Sequence, residues 1–119
     1  PPGPWVKVPE WEFDLEDASE TFEQLLEIPD GDPWIDAAKD NLSSGCPVTA
    51  AITVEQIRRA TDLGVVECFQ MELKIASRCI QLPDFPEGVR ALLIDKDEQP
   101  LWTYSKVSDI PMDYLLSHF

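Results

Sequence analysis

His118 is the only histidine in 119 residues and stands next to the last of them. Acyl-transfer triads and metal centres need an imidazole held by partners in fixed geometry, so an isolated ring at that place reads as a solvated side chain. No Gly-x-Ser-x-Gly, Walker loop or Rossmann glycine pattern is present, and the sequence assigns neither a catalytic residue nor a metal ligand. Carboxylates are abundant, 23 against 9 Lys and Arg, yet on polar helix faces nearness in sequence is weak evidence for a general acid and base. One stretch stands apart: DFPEGVRALLIDKDEQPLW, from Asp84 to Trp102. Its Gly88 sits at a helix start where Ala would be better by about 1 kcal/mol, which implies that a neighbouring helix or a ligand approaches the backbone closely. Arg90 and Lys96 place positive charge at the end of that helix and in the loop after it. Taken alone, Arg90 reads as an ion pair with Glu87, and Lys96, between Asp95 and Asp97, as a screened surface charge.

The charge balance excludes several classes of function. A formal net charge of -14 would repel phosphate, so neither nucleic acid nor an anionic membrane is an expected partner. The excess is uneven. Twelve acidic residues and one basic residue, Lys39, lie between Glu10 and Asp40, whereas seven of the nine basic residues fall between Arg58 and Lys106. An anionic ligand is therefore expected at the second half of the chain. Cys46, Cys68 and Cys79 are an odd set without Cys-x-x-Cys spacing. On one helix, Cys68 and Cys79 would stand roughly 16 Å apart along the axis, beyond the about 7 Å that a disulfide spans. Reduced thiols and an intracellular, soluble setting follow. No run approaches the ~18 to 20 continuous apolar residues of a membrane helix.

Positioning such residues falls to helices. The opening, residues 1–16, has prolines at 1, 2, 4 and 9 and reads as an extended arm carrying Trp5, Trp11 and Phe13. From residue 17 to 119 the pattern is helical. Asp17 and Glu20 form a capping-box pair before a short stripe of Phe22, Leu25 and Leu26. Asp32 and Pro33 open a second helix, and Pro47 opens a third with Val48, Ala51, Val54 and Ile57 on one side. Gly64 precedes the longest helix, about Val65 to Leu82, whose Val66, Phe69, Leu73, Ala76 and Ile80 make a packing seam. Asp84 and Glu87 form a second capping-box pair for a helix with Phe85, Val89, Leu92 and Leu93 on one side. The remainder is extended until Pro111 opens a last turn or two. VPEWEF and PLWTY are the two stretches that could pair briefly as strands. The expected fold is all-α, five or six short helices packed as a small module with an extended N-terminal arm, and its apolar seam needs a partner layer.

Glu87-Gly88-Val89-Arg90-Ala91, then Leu93-Ile94-Asp95-Lys96-Asp97, then Pro100 and Trp102, resemble the C-terminal signature of 3-hydroxyisobutyryl-CoA hydrolases, in the crotonase superfamily. Cys46-Pro47-Val48-Thr49 is similar to that family's Ser-Pro-Thr-Ser helix start. Glu67-Cys68-Phe69-Gln70-Met71-Glu72 is similar to its stretch before Glu-Tyr-Arg, although Leu73 and Lys74 stand where Tyr and Arg are usual. The resemblance runs from about Ala18 to Phe119 and leaves the arm without a counterpart. It implies a C-terminal helical module whose crotonase core, on the same protein or a second chain, supplies the oxyanion hole and acidic catalytic residues. It further implies no cofactor, with coenzyme A present as part of an acyl-CoA substrate. Lys96 and Arg90 are the candidate CoA-binding residues. The exposed apolar face of the helix from Phe85 to Leu93 is where the core, or a second copy of the chain, would pack. The compartment would be cytoplasmic in a bacterium, mitochondrial or peroxisomal in a eukaryote. A non-catalytic binding or structural module of the same family is the alternative.

Overall fold

A computed structural model describes residues 18–119, and all its ordered elements are helical. The arm, its VPEWEF stretch and the Asp17 half of the first capping pair lie outside the described residues. Six α-helices follow in order: α1 Ala18–Leu26, α2 Pro33–Ser44, α3 Pro47–Ala60, α4 Val65–Gln81, α5 Asp84–Val89 and α6 Met112–Leu116. A π-helical turn, Arg90–Ile94, continues α5, and a 3-10 turn, Val107–Asp109, precedes α6. PLWTY forms no strand, so the all-α expectation holds among the described residues.

Local chemistry sets most boundaries. The Asp32 carboxylate accepts from the Trp34 amide at 2.9 Å, and Pro33 fills the first turn of α2. Gly64 precedes α4, where the Glu67 carboxylate accepts its amide at 2.9 Å. Cys46 holds the N-cap place of α3 without a side-chain cap bond, ahead of Pro47. The second expected capping pair does not form: Pro83 is the N-cap of α5, and both carboxylates turn elsewhere.

The core is small. Val48, Ala51 and Ile52 of α3, Ile75 of α4 and Leu115 of α6 are its buried residues, with Tyr104, Val107, Ile110 and Phe119 packed around them. Ile52, not Ile57, completes the inward face of α3, since residues 48, 51 and 52 recur at three and four, and Ile57 is exposed. The larger departure is in α4. Its expected seam points outward, with Phe69 67% and Leu73 70% exposed and Val66 and Ile80 also open. Met71, Ile75 and Cys79 face inward instead. The helix has two apolar faces, and the smaller one meets the rest of this chain.

The tail is stitched to α5 by side chains. Asp84 Oδ1 accepts from both the amide and the hydroxyl of Thr103, each at 2.8 Å, and Glu87 accepts the Leu101 amide at 3.1 Å. Trp102 thereby lies on Gly88, where an added Cβ would stand 3.3 Å from the indole. The close approach expected at Gly88 is real, and what approaches is the chain's own tail.

Candidate functional site

Two features adjoin at α5. The first is a cleft of about 910 Å³ between the start of α3, the end of α4, α5, the π-turn and the tail. Val48, Ile52, Leu82, Val89 and Leu92 make most of its wall apolar, while Asp84, Cys46, Tyr114 and His118 give it polar points. Cys46 Sγ donates to Asp84 Oδ2 at 3.5 Å. Burial pushes the Cys46 thiol up, against the effect of Thr49, and it pushes the Cys79 thiol up as well, with the Asp84 carboxylate adding to both. Both sulfurs are therefore held as thiols, the unreactive form. Asp84 is occupied by three donors and serves as a clamp.

His118 lies in this wall, which corrects its reading as a solvated terminal ring: it is 1% exposed. The chain end places it because α6 folds onto α3 and sets the ring edge-on against Tyr114, centroids 5.4 Å apart. Its Nδ1 lies 3.0 Å from the Tyr114 carbonyl and 3.1 Å from that of Leu115. Carbonyls only accept, so Nδ1 carries a proton and donates.

The second feature is a cage around Arg90. Nε and Nη2 donate to Glu87, the closer contact at 2.6 Å; Nη1 donates to Asp95 at 2.7 Å and to Asp97 at 2.8 Å; Nη2 also reaches the Gln99 carbonyl at 3.3 Å. A guanidinium has five N–H donors, and these acceptors take all of them. Hydrogen bonds from Arg90 hold the Glu87 and Asp97 carboxyls below their usual range. The sequence places only Glu87 in reach; Asp95 and Asp97 arrive because the loop turns back. Two left-handed residues make that turn, Lys96 and Glu98, each at φ 54°. Such a backbone is uncommon for non-glycine residues. The Glu98 amide bonds Ala91 O at 3.0 Å and the Gln99 amide bonds Asp97 Oδ1 at 2.9 Å, which holds the turn closed. The structure thus brings Arg90 and Lys96 together in one loop with different standing. Arg90 lies inside the cage, while the exposed Lys96 makes no ion pair among the described residues.

A sequence model described as Enoyl-CoA hydratase/isomerase matches residues 10–119. This chain belongs to the enoyl-CoA hydratase/isomerase family. The family match begins at Glu10, eight residues before the expected start of the resemblance, so part of the arm has a counterpart after all. Among curated relatives, the mitochondrial 3-hydroxyisobutyryl-CoA hydrolase of Dictyostelium discoideum is 33% identical over 108 residues, which is 90% of this chain and 28% of the relative. The mitochondrial enzyme of the same name from Mus musculus is 33% identical over 104 residues, 86% of this chain and 27% of the relative. An enoyl-CoA hydratase crystal structure from Rhodobacter sphaeroides superposes with a TM-score of 0.73 at 28% identity, covering 85% of this chain and 30% of that one. The family resemblance read from the signature segment therefore stands, and the chain spans less than a third of these relatives' length. Among the described residues no helix is long and apolar enough to cross a membrane.

Proposed function

We propose that this chain is the C-terminal helical part of a CoA-thioester hydrolase acting on a 3-hydroxyisobutyryl-CoA-like substrate, and that it completes or covers the active site of a crotonase core lying outside these residues. The observation that carries the reading is the match of residues 10–119 to the family, together with relatives named as such hydrolases in which the corresponding region is just over a quarter of the protein. Thioester hydrolysis needs donors aimed at the developing oxyanion and a free carboxylate to move the proton. Here Asp84 and Glu87 hold the tail, and Asp95 and Asp97 hold Arg90. The chemistry then belongs to the core, and this chain supplies cover. The setting proposed is a soluble compartment that holds acyl-CoA. The test compares the full-length protein with the 119-residue chain, following thiol release from 3-hydroxyisobutyryl-CoA. Turnover by the former and none by the latter is the expected result. An inactive but folded full-length protein would leave the non-catalytic module, and turnover by the short chain that a substitution within it abolishes would refute the division of labour.

Within that reading the CoA contact falls to Lys96, with Arg90 acting indirectly. Its five donors are spent within the chain, so its part is to shape the loop and offset Asp95 and Asp97, whose charges would otherwise cancel the field of Lys96. A lysine meets phosphate as a flexible point charge, a contact that salt screens. Lys96→Ala in the full-length protein should raise the KM for the CoA thioester about threefold or more at low ionic strength, and less at high, in steady-state kinetics. A KM unchanged across that salt range would return Lys96 to an ordinary surface residue.

A further inference from the structure

We infer that His118 is a docking acceptor: the catalytic region of the polypeptide inserts an apolar segment into the cleft and donates a neutral N–H or O–H hydrogen bond to Nε2. This rests on the reading that such a region packs on this chain. Three observations converge. Nδ1 is committed to two helix carbonyls, so in the neutral ring the lone pair is on Nε2, and Nε2 has no hydrogen bond among the described residues. The ring is 1% exposed as a whole, yet Nε2 is not sealed off: the fully buried side-chain polar atom that lacks a partner among the described residues is Gln24 Oε1, so a donor can still reach Nε2. It stands in the wall of an apolar cleft whose rim residues, Phe85, Leu92 and Leu93, are each more than half exposed. A mostly apolar wall disfavours an inserted cation and suits a segment with a single polar atom, such as a hydroxyl or an indole N–H. The occupant is sought in the remaining polypeptide because this chain covers only 28% of its Dictyostelium relative.

The experiment pairs two substitutions in the full-length protein and in the 119-residue chain. His118→Asn keeps an N–H near the place of Nδ1 and removes the acceptor at Nε2; His118→Gln puts a carbonyl oxygen near Nε2. The expected result is a Tm loss for the Asn variant at least about 3 °C larger in the full-length protein than in the short chain, with the Gln variant recovering much of the difference. Equal losses in both proteins would overturn the inference, assigning Nε2 to a partner within residues 1–119 or in a second copy. Truncation of residues 1–16 and the sedimentation of the short chain then tell those two apart. Should the variants fail to fold, the Nε2 nitrogen resonance decides. The short chain has one histidine and gives one reference signal, and segmentally labelled full-length protein must show it shifted upfield as an acceptor. An unshifted resonance also overturns the inference. Two independent melting transitions in the wild-type full-length protein would instead defeat the packing reading itself.

Discussion

Arg90→Ala is expected to open the loop from Asp95 to Gln99. The substitution leaves Glu87, Asp95 and Asp97 facing one another without a counter-ion, and it also frees Glu87, which accepts the Leu101 amide. Hydrogen exchange at the amides of Glu98, Gln99 and Leu101 should quicken about tenfold or more, while that in α3 stays unchanged. Arg90→Lys should not restore protection, because three donors on a flexible stem cannot replace a planar fork with five. Acid should act in the same direction. The Glu87 and Asp97 carboxyls are depressed in the folded chain, so their contribution is complete above the ordinary carboxylate range and is lost as pH falls through their lowered values. Protection that survives both the alanine substitution and acid would show that the backbone bonds alone hold the loop.

The paired substitution Phe69→Glu and Leu73→Glu should leave the 119-residue chain folded and change its behaviour in company. Both side chains are about two-thirds exposed, so the cost to the isolated fold is within about 0.5 kcal/mol each. If the α4 stripe is covered by another layer, each loses the burial of a large apolar side chain, about 1.5 to 3 kcal/mol. Sedimentation should find the wild-type short chain self-associating with rising concentration and the double variant monomeric. In the full-length protein the same pair should lower the melting temperature. A wild-type chain that stays monomeric, together with full-length stability untouched by the substitutions, would make the stripe a solvated face.

What could be read in advance follows from how far each signal reaches along the chain. Helix starts at Asp32-Pro33, Pro47 and Gly64 are set by neighbours within three residues, and they were legible. The stripe on α4 was legible as apolar, but not its direction, since Met71, Ile75 and Cys79 form a rival face and only α3 and α6 decide between the two. Asp84 looked like half of a capping box because Glu87 is three residues on, yet its partner Thr103 is nineteen away. The cage shows the same limit: Glu87 stands three residues from Arg90 and is legible as its partner, while Asp95 and Asp97 depend on left-handed turns at Lys96 and Glu98 that neither residue type announces. His118 reads as solvated from its place beside Phe119, because nothing local reports that α6 docks on α3 and buries the ring.

The π-turn after α5 bears on how related sequences should be lined up. Asp95 N bonds Arg90 O at 2.8 Å, five residues back, so this turn holds about one residue more than an α-turn would. Removing that residue would rewind the helix and rotate everything after it by about 100°, carrying Asp95 and Asp97 away from Arg90. A relative one residue shorter between the counterparts of Gly88 and Asp95 should therefore lack the carboxylate cage. A gap aligners would assign to the neighbouring loop belongs inside the helix, and the structure of any such relative would show whether the cage is gone.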